Sequence, residues 1–221
     1  KLTGSVAPWT VKILGVNTGG GSVGNGVAGT TAQASKTSLL LDNDPTNDPS
    51  FLSSFGFYLD SMTDTSGAKI TITIPDGLDA TGIQTPASAV NAQVYLPGTT
   101  SYQYTLTLAD GTTETGSVNA GEKVTAADGS AIRKVVLTPN YLAPGANTSR
   151  TGNLNPNKTP AAPYQRFIVE GQLAHRYDDG RAVKSGDKLM STITLGFANE
   201  TQPQKEATST ITQAVVDAVA L

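Results

Sequence analysis

Catalytic chemistry in this chain would have to begin at His175, because it is the only histidine and the chain has no cysteine. Asp178 and Asp179 follow closely, which would place carboxylates beside a general base. A Ser-His-Asp triad needs three groups in fixed positions, however, and the sequence indicates only one of them. We interpret His175 as a structural residue on the inner face of a strand, followed by a turn that contains the two aspartates.

Acidic residues offer a second route to chemistry, since a pair of carboxylates can hydrolyse a glycosidic bond. The acidic residues fall mostly in predicted turns, as Asp76, Asp110 and Asp128 do, and turn chemistry explains them there. Glu170 differs because it lies within a predicted strand. One histidine and no cysteine nearly exclude a zinc site. We therefore expect no enzymatic activity and name no catalytic residue.

Three carboxylates stand within seven positions at Asp42, Asp44 and Asp48, and oxygen-rich loops of this kind can bind Ca²⁺. The segment fails as an EF-hand, because Asn47 replaces the glycine of the sixth position and Ser53 replaces the glutamate of the twelfth. Asx-turns between two prolines explain the same residues without a metal. Ca²⁺ at these three aspartates is the cofactor that we retain as a candidate, and we favour the turn interpretation.

The composition argues against several classes of partner. The 221 residues carry a formal net charge of −3 and show no basic patch, so nucleic acid is not an expected partner. There is no run of about 18 apolar residues, so we expect no membrane insertion. The absence of cysteine, together with threonine-rich strands, favours a bacterial surface protein over a secreted eukaryotic sandwich with disulfides. We expect the chain to be part of a longer multidomain protein.

The elements that must position any site are strands. In residues 69–78, isoleucines at 70, 72 and 74 alternate with threonines at 71 and 73, which predicts a strand with one apolar and one hydroxyl face. Pro75 and the Asp76-Gly77 pair then end it. Similar alternation recurs along the chain, with no strand–helix–strand rhythm. We predict an all-β fold of two Ig-like antiparallel β-sandwiches in tandem, residues 1–97 and 98–221.

Four phrases in the second half carry a family resemblance. They are residues 104–116 (YTLTLADGTTETG), 130–139 (SAIRKVVLTP), 177–180 (YDDG) and 186–189 (GDKL). In this order they resemble the Ig-like β-sandwich modules of large cell-wall-anchored surface adhesins of Gram-positive, lactic acid bacteria, over residues 98–198. The resemblance implies an extracellular, cell-wall-attached protein that adheres to host or environmental glycan or matrix protein. It equally allows a structural stalk or surface-layer spacer without a ligand of its own.

The long segment 140–163, with four prolines and little apolar content, is the predicted binding loop. Tyr141 and Tyr164 bracket it, and with Asn147 and Arg150 they are our candidate ligand-binding residues. We interpret the segment as a surface loop, so that deleting residues 147–158 should leave the melting transition nearly unchanged.

The resemblance also raises the prospect of a Lys–Asn isopeptide bond, which such surface proteins use in place of disulfides. Lys12, Lys69 and Lys188 are candidate lysines, and Asn199 is a candidate partner. We favour the alternative that these lysines lie at the sheet surface with their ammonium groups in water.

Overall fold

The computed structural model describes residues 28–34, 36–41, 51–88, 97–149, 166–199 and 206–217. Twelve β-strands and no helix occur in these ranges, so the all-β class is confirmed. The described residues contain no helix that is long and apolar enough to cross a membrane.

The twelve strands lie between residues 28 and 216. In chain order they are β1 (Ala28–Ala34), β2 (Ser38–Leu40), β3 (Phe51–Leu59), β4 (Ala68–Thr73), β5 (Leu78–Gln84), β6 (Ser101–Leu108), β7 (Thr113–Asn119), β8 (Lys123–Val124), β9 (Ile132–Pro139), β10 (Phe167–Leu173), β11 (Lys188–Phe197) and β12 (Glu206–Val216).

All twelve strands belong to one hydrogen-bonded sheet that curls until its two parts face each other. One part, the seven-stranded layer, has the order β7–β6–β9–β4–β11–β12–β2. The other part, the five-stranded layer, has the order β1–β3–β10–β5–β8, and the two parts join where Ala80 pairs with Ile132. Neighbouring strands are antiparallel except β2, which runs parallel to β12.

The two layers enclose the core, and buried polar groups tie them together across it. On β1 and β12, Thr30 Oγ1 lies 2.8 Å from Ser209 Oγ, and the Ser209 hydroxyl also donates to Thr30 O. Gln213 Nε2, also on β12, donates to Leu52 O of β3 at 3.2 Å. Because these groups lie away from water, each hydrogen bond fixes how one layer sits over the other.

The strand β4 confirms the alternation predicted from its sequence. Ile70, Ile72 and the following Ile74 are fully buried, whereas Thr71 and Thr73 lie on the outer face. β11 pairs with β4 on one side and β9 pairs with it on the other, so every residue of its central part takes part in a ladder. β4 is therefore the middle strand of the seven-stranded layer, and its apolar face forms the centre of the core.

The predicted division into two sandwiches at residues 97–101 does not match this pairing. β4 precedes the boundary, yet both of its neighbours, β9 and β11, follow it. In the other layer β10 lies between β3 and β5, again joining the two halves of the chain. Residues 97–101 are held to the segment that follows β9, because Ala143 N donates to Pro97 O and Asn140 N donates to Ser101 O.

We expect Ile72→Ala to lower the free energy of unfolding by about 2–5 kcal/mol, because it removes a fully buried side chain from the middle strand. The neighbouring Thr73→Ala, on the exposed face, should lower it by no more than about 1 kcal/mol. Urea unfolding followed by circular dichroism and by tyrosine fluorescence measures both. Since the halves share one sheet, the two probes should report one coincident transition for each variant. Two separated transitions, only one of which moves in Ile72→Ala, would contradict this fold.

Candidate functional site

The outer face of the seven-stranded layer carries hydroxyl groups in register. Thr192 lies between Thr73 of β4 and Thr210 of β12, and the Oγ1 atoms of Thr192 and Thr210 are 3.0 Å apart. The next row repeats the arrangement with Thr194 and Thr208, whose Oγ1 atoms are also 3.0 Å apart. Cross-strand threonine pairs of this kind stabilise a sheet and leave further donor and acceptor capacity facing water.

The rows continue across the other strands of the layer. The first row contains Thr113, Thr107, Lys134, Thr73, Thr192 and Thr210. The second row contains Thr115, Thr105, Val136, Thr71, Thr194 and Thr208. Gln103 lies between Ser117 and Thr138 in the third row, where Lys69 and Glu206 both pair with Gly196. Strand spacing places neighbours in a row about 4.8 Å apart.

Two shallow depressions lie along the second and third rows and share Lys69. The larger, of about 540 Å³, is lined by side chains of β7, β6, β9 and β4, among them Gln103, Thr115 and Thr138. The smaller, of about 290 Å³, continues over β4, β11 and β12, with Thr194 and Glu206 in its lining. Together they form a channel across the strands, which we call the outer groove.

The lining of the outer groove carries hydrogen-bonding groups along its length. Its hydroxyl groups both donate and accept, the Gln103 amide does the same, and the exposed ammonium of Lys69 adds a donor near the middle. The ring of Tyr104 lies on the opposite, inner face of β6, where it packs against the core beside Gly116. A hydroxyl-rich, extended ligand would match this surface.

The first part of the predicted binding loop, residues 140–149, is partly buried and hydrogen-bonded to β3. Within residues 140–149, Leu142, Ala146 and Thr148 are buried. Thr148 N donates to Phe57 O at 2.7 Å and Leu59 N donates to Ala146 O at 2.7 Å, so the segment extends the edge of β3 beyond the end of β10. The expectation that residues 147–158 can be removed without a stability cost is therefore wrong at its N-terminal end.

The four candidate ligand-binding residues divide between described and undescribed parts of the chain. Tyr141 has 55% of its surface exposed, and its ring lies against Gly98. Asn147 pairs with Tyr58 as an isolated bridge, and its side-chain oxygen accepts from Ser149 N and Ser149 Oγ, which gives it a turn-forming role. Arg150 and Tyr164 lie outside the described residues, and ligand contact by any of the four stays a prediction.

A buried arginine, Arg166, holds this segment against the five-stranded layer. Its guanidinium donates to Ser149 O at 2.8 Å, to Thr31 Oγ1 at 2.9 Å and to Ser54 Oγ at 3.0 Å. These partners are neutral oxygens, and burial lowers the pKa of Arg166 to about 10, which still leaves it protonated at neutral pH. Gly56 makes the approach possible, since a Cβ there would lie 2.6 Å from Thr148 O.

His175 is exposed, so the prediction that it lies on an inner strand face is wrong. β10 ends at Leu173, and His175 O accepts from Val183 N in the following turn region. The aspartates after it accept hydrogen bonds from arginines. Asp178 receives two from the Arg133 guanidinium, and Asp179 receives one from Arg181 Nε at 2.6 Å and one from Arg181 N at 3.0 Å.

Arg133 is the centre of a charged cluster at one end of the core. It donates to both oxygens of Asp178 and to Leu78 O, while Asp178 N donates to Asp76 Oδ1 at 2.7 Å. The bonds from Arg133 hold the pKa of Asp178 below its usual range. Desolvation raises the pKa of nearby Asp79, whose oxygen is 3.9 Å from the guanidinium. The cluster joins the β4–β5 turn to the turn after β10.

Glu170 also has a structural partner. It is only 9% exposed and forms an ion pair with Lys123 of β8, whose aliphatic chain crosses over Gly82. The alternation of β10 breaks here, because the register shifts between Val169 and Glu170 against β3 and directly after Glu170 against β5. A β-bulge of this kind is not visible as a local sequence pattern.

The predicted calcium site and one of the isopeptide lysines fall on residues that the structure does not describe. Asp42, Asp44, Asp48 and Lys12 lie outside the described residues, and among those described no group of three His, Cys, Asp or Glu residues could hold a metal ion. Of the other isopeptide candidates, Lys69 and Lys188 are exposed, and the Asn199 amide nitrogen donates to Ser66 O at 2.8 Å.

Comparison with known proteins identifies no family. No protein-family model matches the chain, and no curated protein does. Among solved structures, a variant of the oxalate decarboxylase of Bacillus subtilis is similar over 93% of this chain and 73% of its own, at 11% identity and a TM-score of 0.25. Another variant of that enzyme has the same coverage at a TM-score of 0.21. Likeness at this level establishes neither a shared fold nor a shared function.

We expect Thr148→Val to lower the free energy of unfolding by about 1–3 kcal/mol, because it leaves the buried Phe57 N without the hydroxyl acceptor 2.8 Å away. Thr148→Ser keeps that hydroxyl and is the matched control, with a smaller loss. Urea denaturation measures both. Equal losses in the two variants would show that the hydroxyl is not what holds the segment.

The Arg133 cluster should make stability depend on pH in two opposite ways. The depressed pKa of Asp178 contributes stability that is present above its unfolded value, about 3.9, and is lost as the pH falls through the folded value. Asp178→Asn should therefore show a smaller drop in unfolding free energy between about pH 7 and about pH 3 than the parent.

Asp79 provides the control of opposite sign. Its raised pKa means that ionisation costs stability above the folded value, and acidification restores it. Asp79→Asn should therefore show a larger drop over the same interval. If Asp178→Asn retains the full pH dependence of the parent, the bidentate contact with Arg133 contributes nothing to stability.

Proposed function

We propose that this chain is a non-catalytic adhesion module that binds a glycan chain along the outer groove. The observation that carries the proposal is the outer groove itself, in which two adjoining depressions across β7, β6, β9, β4, β11 and β12 share Lys69 and present hydroxyl, amide and ammonium groups. A glycan presents hydroxyls along its length, and rows of threonines provide complementary donors and acceptors at a regular spacing. A matrix protein is the less favoured ligand, because none of the large exposed apolar side chains among the described residues lines the groove, and such side chains form protein hot spots.

The charged groups support a binding role over catalysis. The sequence drew attention to three acidic residues, and each forms an ion pair with a basic side chain. Asp178 pairs with Arg133, Asp179 with Arg181 and Glu170 with Lys123. An ion pair of this kind occupies the carboxylate with a fixed partner, whereas a general acid or base must be free to reach the proton that it transfers. These ion pairs lie at turns and at a bulge, away from the outer groove, and they explain the residues structurally.

The location of the protein belongs to the same proposal. Attachment to the cell wall of a Gram-positive bacterium would follow from the resemblance of residues 98–198, and the absence of cysteine fits an exported bacterial chain. A sheet with hydrogen bonds across its core would give a rigid surface for display. A stalk or surface-layer spacer would use the same rigid sheet but would have no ligand.

We expect Lys69→Ala and Gln103→Ala each to weaken glycan binding about threefold to tenfold, the loss of roughly one hydrogen bond. Lys134→Ala is the matched control, because Lys134 is exposed on the same face but does not line the outer groove. A glycan array identifies the ligand, and calorimetry then measures the variants, with melting temperatures recorded to confirm folding.

Tyr141→Ala separates the two candidate sites in the same assay. A loss confined to Tyr141→Ala would place the ligand at the predicted loop and overturn the outer groove as the site. If the parent binds no glycan on a broad array, the spacer function replaces adhesion to glycan.

A further inference from the structure

The edge strand β7 presents a row of backbone groups that nothing in the described chain covers. Leu108 N donates to Thr112 O and Ala120 N donates to Thr100 O, both at 2.9 Å, so the β6–β7 hydrogen bonds fall on the even-numbered residues of β7. The N–H and C=O groups of the odd-numbered residues therefore point away from β6. At Thr113, Thr115 and Ser117 they have no hydrogen-bond partner among the described residues.

β7 also lacks the features that normally protect an edge. It contains no proline and no lysine, and its pairing with β6 runs through seven residues without a bulge. Its one charged side chain, Glu114, lies on the opposite face from the three threonine and serine side chains. There it accepts a hydrogen bond from Ala127 N at 3.0 Å. The far end is closed, because Asn119 N donates to Glu122 Oε2 and Asn119 O accepts from Glu122 N.

One antiparallel register satisfies all the open groups. If Thr115 faces Thr115 of another copy, then Thr113 faces Ser117 and Ser117 faces Thr113. Three donors and three acceptors on each strand then form six hydrogen bonds about a twofold axis. Hydroxyl side chains meet hydroxyl side chains on the exposed face, and Glu114 faces Gly116 instead of another carboxylate. Centring the pair on Gly116 would instead oppose Thr113 to Asn119, whose groups are already bonded.

We propose that the chain self-associates by antiparallel pairing of β7 with β7 of a second copy, with Thr115 opposite Thr115. The seven-stranded layers of the two copies then form one continuous sheet. Because the twofold axis is perpendicular to the sheet, both outer faces lie on the same side of the dimer.

Sedimentation equilibrium on the full chain tests the association. The mass of the parent should rise with protein concentration from monomer towards dimer. Thr115→Pro should remain monomeric over the same range, because it removes the two central hydrogen bonds while the lost N–H points away from β6, where an edge strand tolerates proline. Thr105→Lys, on the same face but one strand inward, is the control and should associate like the parent.

Charge exchange tests the register. Thr115→Lys and Thr115→Glu should each weaken association about fivefold, since like charges then face each other, and an equimolar mixture of the two should restore it. A monomeric parent throughout the range would overturn the proposal. So would a dimer that Thr115→Pro leaves intact, or charged variants that gain nothing when mixed.

Disulfide cross-linking of single-cysteine variants tests the register independently, because the parent has no cysteine. Opposed residues of a hydrogen-bonded pair have Cα atoms about 5.5 Å apart, within disulfide range. Thr115→Cys should form a disulfide dimer on mild oxidation, whereas Thr105→Cys should not. Thr113→Cys and Ser117→Cys should cross-link mainly when mixed. Self-linking of Thr113→Cys at the rate of Thr115→Cys would overturn the register.

Discussion

The pairing of β4 with a neighbour on each side is the constraint on which the rest of the structure depends. β9 and β11 fix its register, and that register places Ile70 and Ile72 inside and their threonine neighbours outside. A shift of one residue would exchange the two sets and put hydroxyls in the core. The same register aligns the threonines of β4, β11 and β12 into rows. The core and the outer face are therefore two consequences of one alignment.

The sequence predicted the alternation within single strands but not the pairing between strands that are far apart in the chain. Period-two alternation indicated β4 correctly, because this strand has one face in the core and one in water. No local signal says that β4 pairs with strands that come much later in the chain, so the boundary at residues 97–101 was read from turn chemistry alone. Proline and glycine mark a connection between strands, and that connection need not separate domains.

The candidate site was missed for the same reason. Five strands each supply one threonine of an ordinary kind to the outer groove and β12 supplies Glu206, and these residues gain significance only when the six strands lie side by side. The loop prediction failed at residues 147–149 because a polar, proline-rich segment looks exposed, whereas Thr148 hydrogen-bonds to Phe57 at full burial. A buried arginine with neutral partners, such as Arg166, likewise has no sequence pattern that identifies it.

A surface of hydroxyl rows has a physical weakness as a binding site, and the open edge of β7 offers a remedy. Each hydrogen bond to a solvated sugar exchanges for one to water, so its net contribution is only about 0.5–1.5 kcal/mol. A single shallow groove would then bind weakly. A dimer paired at β7 would present two grooves on one side, and a polymer held by the first would meet the second at high effective concentration. Edge pairing would thus give avidity to a face whose chemistry limits the affinity of each site.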